Sequence, residues 1–365
     1  MRARQPDYIL LATVSILVVF GLLMISSASI GLSQEQYNES YYFLRNQILK
    51  GLLPGIAVGL LFYLLPYRFL KKFAPLLLVS SIAALLLIFI PGFGLEHGGS
   101  QRWLKISSVV FQPSEFLKFS LVVYLAAWLS SRGEAVKSVS QGLVSFSVLL
   151  GLIAIILIKE PDIGTLGVVG FTAISIFFLA GARLSHILCI LGGGGALLAA
   201  LINFVPYIQK RWQTFRFQDL DPQGAGYQIN QSLIALGSGG LFGLGLGQSL
   251  QKFLFLPEPA SDSILAIIGE ELGFLGIAAL LLMFVIFAFR GLSIARRAPD
   301  EFGHLLAGGL TSWLIIQALI NILAISGLMP LTGITLPFIS LGGSSLTATL
   351  AAAGLLLNVS KYSKI

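Results

Sequence analysis

Ten apolar runs, near 8–30, 47–66, 73–91, 113–130, 140–158, 163–181, 186–206, 263–289, 303–325 and 340–358, follow one another along the chain. A helix needs about 20 apolar residues to cross the hydrocarbon core of a bilayer, and each run reaches or approaches that length. The pattern predicts an all-α integral membrane protein with about ten transmembrane helices in a single polytopic domain over residues 1–365. Composition agrees, with 56% hydrophobic residues, only 11% charged ones and a mean hydropathy of +0.89. These values exclude an ordinary soluble domain.

The first run follows Arg2 and Arg4 and ends in Ser27, Ala28 and Ser29, which imitates a secretory leader. Its apolar stretch from Tyr8 to Ile25 exceeds the roughly 7–15 residues of a leader's core, so an uncleaved first span is expected. With that end inside, the short inner connections hold more Lys and Arg, Lys364 included, than the outer ones. This bias predicts that both termini are cytoplasmic. The acids Glu160, Asp162, Asp219, Asp221, Glu258 and Asp262 then map outside, so the outer face carries both signs of charge and is the better place for a site.

The connection from Tyr207 to Asp262 is too long for a simple turn. Its string "GYQINQSLIALGSGGLFGLGLGQSLQKFLFLPEP" is too apolar for disorder. We expect a large structured extracytoplasmic loop over 207–262, with one or two amphipathic helices at the interface. Lone Cys189 excludes a disulfide within the chain and a thiolate metal site, and His97, His186 and His304 lack ligand spacing. The net charge of +7 is spread among apolar spans, which argues against nucleic acid as a partner. No phosphate-binding glycine motif for nucleotides is present.

Chemistry is expected where charge meets an apolar run. In "PASDSILAIIGEELG", Asp262 can cap a helix N-terminus or stand as a carboxylate at the outer boundary. Glu270 and Glu271 lie about 12–13 Å deeper at helical rise and point elsewhere, which suits support of a cavity. In "FQPSEFLKF", Glu115 and Lys118 form an i, i+3 pair within a span, so the lysine needs a partner or a hydrated cavity. Arg102 precedes Trp103 at an interface. "KEPD" sets Glu160 and Asp162 at the outer end of another span. "PLTGITLPFISLGGSS" has several helix breakers before the last span, so irregular backbone is expected there, offering Ser344 and Ser345 to a cavity.

These strings resemble the SEDS family (shape, elongation, division and sporulation), the membrane glycosyltransferases FtsW and RodA. The resemblance runs through "SAS", "RW" with "FQPSEFLK", "EPDIGT", "GYQINQSLIALGSGGLFGLGLGQS", "LPEPASDSILAIIGEELGFLG" and "PLTGITLPFISLGGSS". "GQSLQKFLFLPE" is closer to the division type. The chain has "ASDS" where the family commonly has an "HTDF"-like string, and "SLGGSS" for "SYGGSS".

The resemblance implies a bacterial inner-membrane enzyme that polymerises lipid II, a disaccharide-peptide on undecaprenyl diphosphate, into peptidoglycan glycan strands outside the membrane. It places Asp262 on the family's essential aspartate. An ionised aspartate can take the proton of an attacking sugar hydroxyl, and a lipid diphosphate leaves without a general acid. One carboxylate can then suffice, unlike the pair used by glycoside hydrolases.

Arg102, Lys118, Arg211, Arg216 and Lys252 are the expected cations for the diphosphate, with Glu115, Ser344 and Ser345 also at the substrate and Glu270, Glu160 and Asp162 supporting the cavity. The residues demand no cofactor, and the need for a divalent cation stays open. The expected partners are a class B penicillin-binding protein transpeptidase and other division or elongation proteins. Two further readings use the same features: a flippase for the lipid-linked precursor, and a scaffold for the transpeptidase.

Overall fold

The computed structural model describes residues 5–97, 100–106, 109–217, 224–253 and 255–363. Arg2, Arg4, Asp219, Asp221 and Lys364, which entered the topology reading, lie outside the described residues. The first helix, α1 (Tyr8–Ala28), starts where the Asp7 carboxylate accepts the Leu10 N–H at 2.9 Å, meeting one of the orphan donors of a helix N-terminus. Short α2 (Ile30–Tyr37) leads to α3 (Tyr42–Gln47), which continues through a π-turn into α4 (Leu53–Leu64). After α5 (Tyr67–Leu87) come three strands, β1 (Gly94–His97), β2 (Ser100–Ile106) and β3 (Val109–Phe111), and then α6 (Pro113–Ser130).

Helices α7 (Ser145–Lys159), α8 (Ile163–Leu179) and α9 (Leu184–Phe204) run to the long connection, which folds into α10 (Pro206–Arg216) and α11 (Ala225–Ser238). The chain closes with α12 (Ile264–Arg296), α13 (Glu301–Ile325) and α14 (Gly343–Ser360). Eight of the described helical segments are long and apolar enough to cross a membrane. Two more fall on predicted runs: α8, with 17 residues, and α6, whose hydropathy is lowered by Glu115 and Lys118. The multi-pass helical class follows from these lengths and compositions.

Burial sorts the helices into layers. In α13 and α14, 67% of the most apolar window is buried in protein, against 6% in α9, which leaves α9 at the rim. Nearly every face of α6 is buried, including its charged pair. Lipid tails are as apolar as leucine, so close backbone approach has to supply packing energy. Gly59 of α4 and Gly354 of α14 do this: a Cβ on Gly354 would overlap the backbone of Gly59.

Three features depart from an uninterrupted set of spans. The segment between α5 and α6 forms an antiparallel sheet in the order β1-β2-β3, pairing Leu95 with Trp103 and Leu104 with Phe111. Among the described residues, the stretch from 239 to 263 holds no helix and mixes turns with irregular backbone. Within α12 the helix breaks at Gly273 (φ 67°, ψ −165°), a conformation open almost only to glycine.

The break is closed by the glycine-rich loop after α11. Leu244 N–H and Gly245 N–H donate to the carbonyls of Glu270 and Glu271, both at 3.0 Å. Phe274 N–H and Leu275 N–H donate to Gly240 O at 2.9 Å and Leu241 O at 3.1 Å. The backbone groups freed by the break are thus satisfied within protein, as irregular backbone in an apolar setting requires. Glu270 and Glu271 both precede the break and stand on the unbroken first part of α12. Beyond it, exposed Phe274, Leu275, Val285 and Phe289 mark the stretch of α12 that faces lipid.

At the end of α12 remote from Asp262, Arg290 is paired with Asp7, whose N–H donates to Ser360 Oγ at 3.1 Å. The starts of α1 and the end of α14 therefore share one end of the bundle, opposite Asp262.

Candidate active site

Asp262 lies in the turn before α12 and is half-buried. Three elements position it. The Asn321 side-chain amide, from α13, donates to the Asp262 carbonyl at 2.8 Å and to the Ile334 carbonyl at 2.7 Å. Gln228 of α11 directs its amide nitrogen to Ser263 Oγ at 2.9 Å and lies 3.4 Å from each carboxylate oxygen of Asp262. The irregular segment before α14 contributes Gly333, with φ 70°. A Cβ on Gly333 would sit 4.0 Å from both Asp262 Oδ2 and Arg102 Nη1, so aspartate and arginine converge on one gap.

Around that gap the structure gathers several of the residues singled out in the sequence. Arg102, on β2, donates through Nη2 to the Pro161 carbonyl in the turn between α7 and α8. Glu160 and Asp162 flank that proline, and Asp162 Oδ1 caps α8 by accepting the Thr165 N–H at 3.2 Å. Arg211, on α10, donates to the Leu331 carbonyl at 2.8 Å and stacks its guanidinium 4.6 Å from the Tyr207 ring centre. Burial, opposed by the nearby carboxylates Asp162 and Asp262, draws the Arg211 guanidinium below its ordinary range. Burial also raises Asp262 to about 7, helped by Glu258 and opposed by the Gln228 amide.

Other expected site residues lie elsewhere. Lys118 is 2% exposed and donates to Glu115 Oε1 at 2.8 Å and Gln317 Oε1 at 2.7 Å. Gln317 then donates to the Thr335 carbonyl at 3.0 Å, and the Thr335 hydroxyl meets Ser345 Oγ at 2.8 Å. This polar chain, in which Lys118 and Glu115 take part, ties α6 to α13 and to the start of α14. Ser344 Oγ accepts the Gln112 N–H at 3.1 Å at the head of α6.

Lys252, expected at the leaving group, is 1% exposed and paired with Glu271 at 2.8 Å, while its ammonium also donates to Ser27 at 3.0 Å. The loop carrying it folds back onto α12, where two buried charges satisfy each other. Glu270 holds the same loop by accepting Ser249 Oγ, Leu250 N–H at 3.0 Å and Gln251 N–H at 3.3 Å. Arg216 ends α10 exposed, beside Phe217.

Gln228, Gln317 and Asn321 escaped the sequence reading. The last two stand one turn apart in an otherwise apolar span, a placement that itself signals an internal polar contact. Among the described residues no three His, Cys, Asp or Glu side chains converge as metal ligands.

A bundle of apolar helices with a charged, half-buried recess at one end defines a multi-pass membrane protein whose polar chemistry sits at one boundary. The family described as "Cell cycle protein", FtsW/RodA/SpoVE, matches residues 7–365. Stage V sporulation protein E of Bacillus subtilis (strain 168) is 41% identical over 99% of this chain and 98% of its own. A probable peptidoglycan glycosyltransferase FtsW of Geobacter metallireducens is 38% identical over 98% of this chain and 95% of its own.

Among solved structures, one reported as "Structural coordination of polymerization and crosslinking by a peptidoglycan synthase complex" superposes with a TM-score of 0.82 at 27% identity, covering 97% of each chain. The rod shape determining protein RodA of Thermus thermophilus gives a TM-score of 0.69 at 27% identity, over 97% of this chain and 96% of that one. The chain belongs to the FtsW/RodA/SpoVE family.

Proposed function

We propose that this chain is a peptidoglycan glycosyltransferase of the bacterial cytoplasmic membrane, polymerising lipid II with Asp262 as general base. Curated relatives carry the glycosyltransferase name, and a structural neighbour belongs to a peptidoglycan synthase complex. The observation that carries the residue assignment is the convergence of Asp262 and Arg102 on the gap over Gly333, with Arg211 beside them.

In this reading the acceptor's GlcNAc 4-hydroxyl gives its proton to an Asp262 oxygen as it bonds to the donor's MurNAc anomeric carbon. The bond from that carbon to the lipid diphosphate breaks from the opposite side, with inversion. Arg102 and Arg211 receive the developing charge, where fixed cations in a half-buried recess act more strongly than in water. The recess is the end of the bundle assigned to the outer face, formed with the 207–262 segment as its extracytoplasmic cap, and both termini are assigned to the cytoplasm. A class B penicillin-binding protein would crosslink the emerging strand.

The test is polymerisation of purified labelled lipid II by the full-length chain with its transpeptidase, resolving glycan length on a gel. Asp262→Asn, folded and partner-bound, is expected to make no polymer. Polymer at the native rate would sink the assignment, and lipid II flipping in liposomes without polymer would favour a transporter.

A further inference from the structure

The turn between α7 and α8 holds a group that the proposed reaction does not use. The Glu160 side chain is 1% exposed, and both of its carboxyl oxygens are buried without a hydrogen-bond partner. Next to it Asp162, 3% exposed, leaves Oδ2 without a partner. The cation that acts on it, Arg102, gives Nη2 to the Pro161 carbonyl instead, and its Nε is unpartnered too. An ionised carboxylate buried with no donor at all is a costly arrangement, and proteins relieve it by keeping the proton.

We infer that Glu160 is a positioning residue that stays neutral: its protonated carboxyl backs the Arg102 guanidinium without cancelling its charge, leaving that charge for the diphosphate of the lipid substrate. The inference rests on the glycosyltransferase reading and assigns a role to a residue beneath the site. The charged groups around Glu160 are Arg102 from β2 and Asp162 from its own turn, with Arg211 of α10 and Asp262 beyond them. Lys159, its chain neighbour, is exposed.

With Glu160 neutral, the two arginines face Asp162 and Asp262. When Asp262 takes the acceptor's proton, one negative charge disappears beside the two arginines as the diphosphate departs. An ionised Glu160 would offset that gain from behind. The electrostatics agree: burial first, then Asp162, push the Glu160 carboxyl up to about 9, while Arg102 only partly opposes them. Because this folded value exceeds the unfolded one, the neutral form is present through neutral pH and is lost as pH rises through about 9.

The experiment compares the native chain, reconstituted with its transpeptidase, with Glu160→Gln, which copies the neutral acid in shape and charge. The native enzyme is expected to lose kcat/KM near pH 9, chiefly through a rising KM for lipid II. Glu160→Gln is expected to stay within about threefold of native at neutral pH and to lack that alkaline fall. Loss of activity in the glutamine variant at neutral pH would mean that a charged Glu160 is needed and would overturn the inference, as would superimposable profiles.

Infrared difference spectroscopy, native minus Glu160→Gln, gives a readout independent of turnover. A protonated carboxyl band at neutral pH supports the inference, and a carboxylate band in its place rejects it. Asp262→Asn is run in parallel: polymerisation by that variant would remove the base assignment alone, while the infrared band would still decide the state of Glu160.

Discussion

Asn321 bonds the backbone of Asp262 and that of Ile334 at once, at 2.8 and 2.7 Å, so one side-chain amide on α13 sets the separation between the proposed base and the segment opposite it. Asn321→Leu leaves two carbonyls without their donor in a partly buried place, a loss of about 1–3 kcal/mol for each such group. Much of that loss should appear as a displaced carboxylate. We expect kcat for lipid II polymerisation to fall about tenfold or more while the variant still folds, with Asn321→Ala behaving alike. A variant with native kcat and lowered thermal stability would make Asn321 a purely structural tie.

The Lys252–Glu271 pair gives a stability prediction that does not depend on catalysis. Both side chains are buried, at 2% and 0% exposure, and their charged ends are 2.8 Å apart. Removing one partner strands the other, so Lys252→Met should destabilise the chain by about 3–5 kcal/mol in unfolding measurements in detergent. Pairing it with Glu271→Gln should recover most of that loss. Equal stability of the single and double variants would show that the charges do not depend on each other.

The pH dependence follows from Asp262. Its carboxyl, raised to about 7, is mostly protonated in acid, and the ionised form that accepts a proton becomes the majority above that value. We expect the acid limb of the kcat/KM profile to have its midpoint near pH 7. Glu258→Gln, which removes the carboxylate that helps raise Asp262, should move the midpoint downward. Stability runs the other way: a carboxyl raised on folding favours the fold in acid, and that contribution fades as pH rises through about 7. A profile flat through that range would remove Asp262 from the proton-accepting role.

Gly273 and Gly247 separate steric from conformational cost. Both have positive φ, at 67° and 80°, but a Cβ on Gly273 would lie 2.6 Å from the Leu241 carbonyl, whereas one on Gly247 meets nothing within 4 Å. Gly247→Ala should cost about 1 kcal/mol from backbone strain alone. Gly273→Ala should cost several times more and lower the yield of folded protein. Thermal unfolding of the two purified variants tests the ranking.

The spans were legible because a long apolar run needs no tertiary information to announce itself. Asp262 stood out for the complementary reason, a charge at the mouth of such a run. The break at Gly273 was hidden, since hydropathy continues across it and only the folded-back loop makes a left-handed turn necessary. The strands β1, β2 and β3 were missed in a short connection where polar and apolar residues mix. Lys252 was expected at the diphosphate because it is a cation in the outer loop. Its partner lies on a distant helix that only the fold brings near. Glu160 and Arg102 were both visible, but whether a buried acid meets a donor is a matter of a few ångströms and cannot be read from spacing.

The interruption in α12 also bears on how the chain is made. The part from Phe274 to Arg296 is about 35 Å long at helical rise, enough to cross a bilayer unaided. During synthesis it can therefore enter the membrane as a complete span, without the two acidic residues that precede it. The stretch from Ile264 to Leu272, with Glu270 and Glu271, has no such autonomy. Its partners come from residues 240–252, which bond the carbonyls and the carboxylates of Glu270 and Glu271.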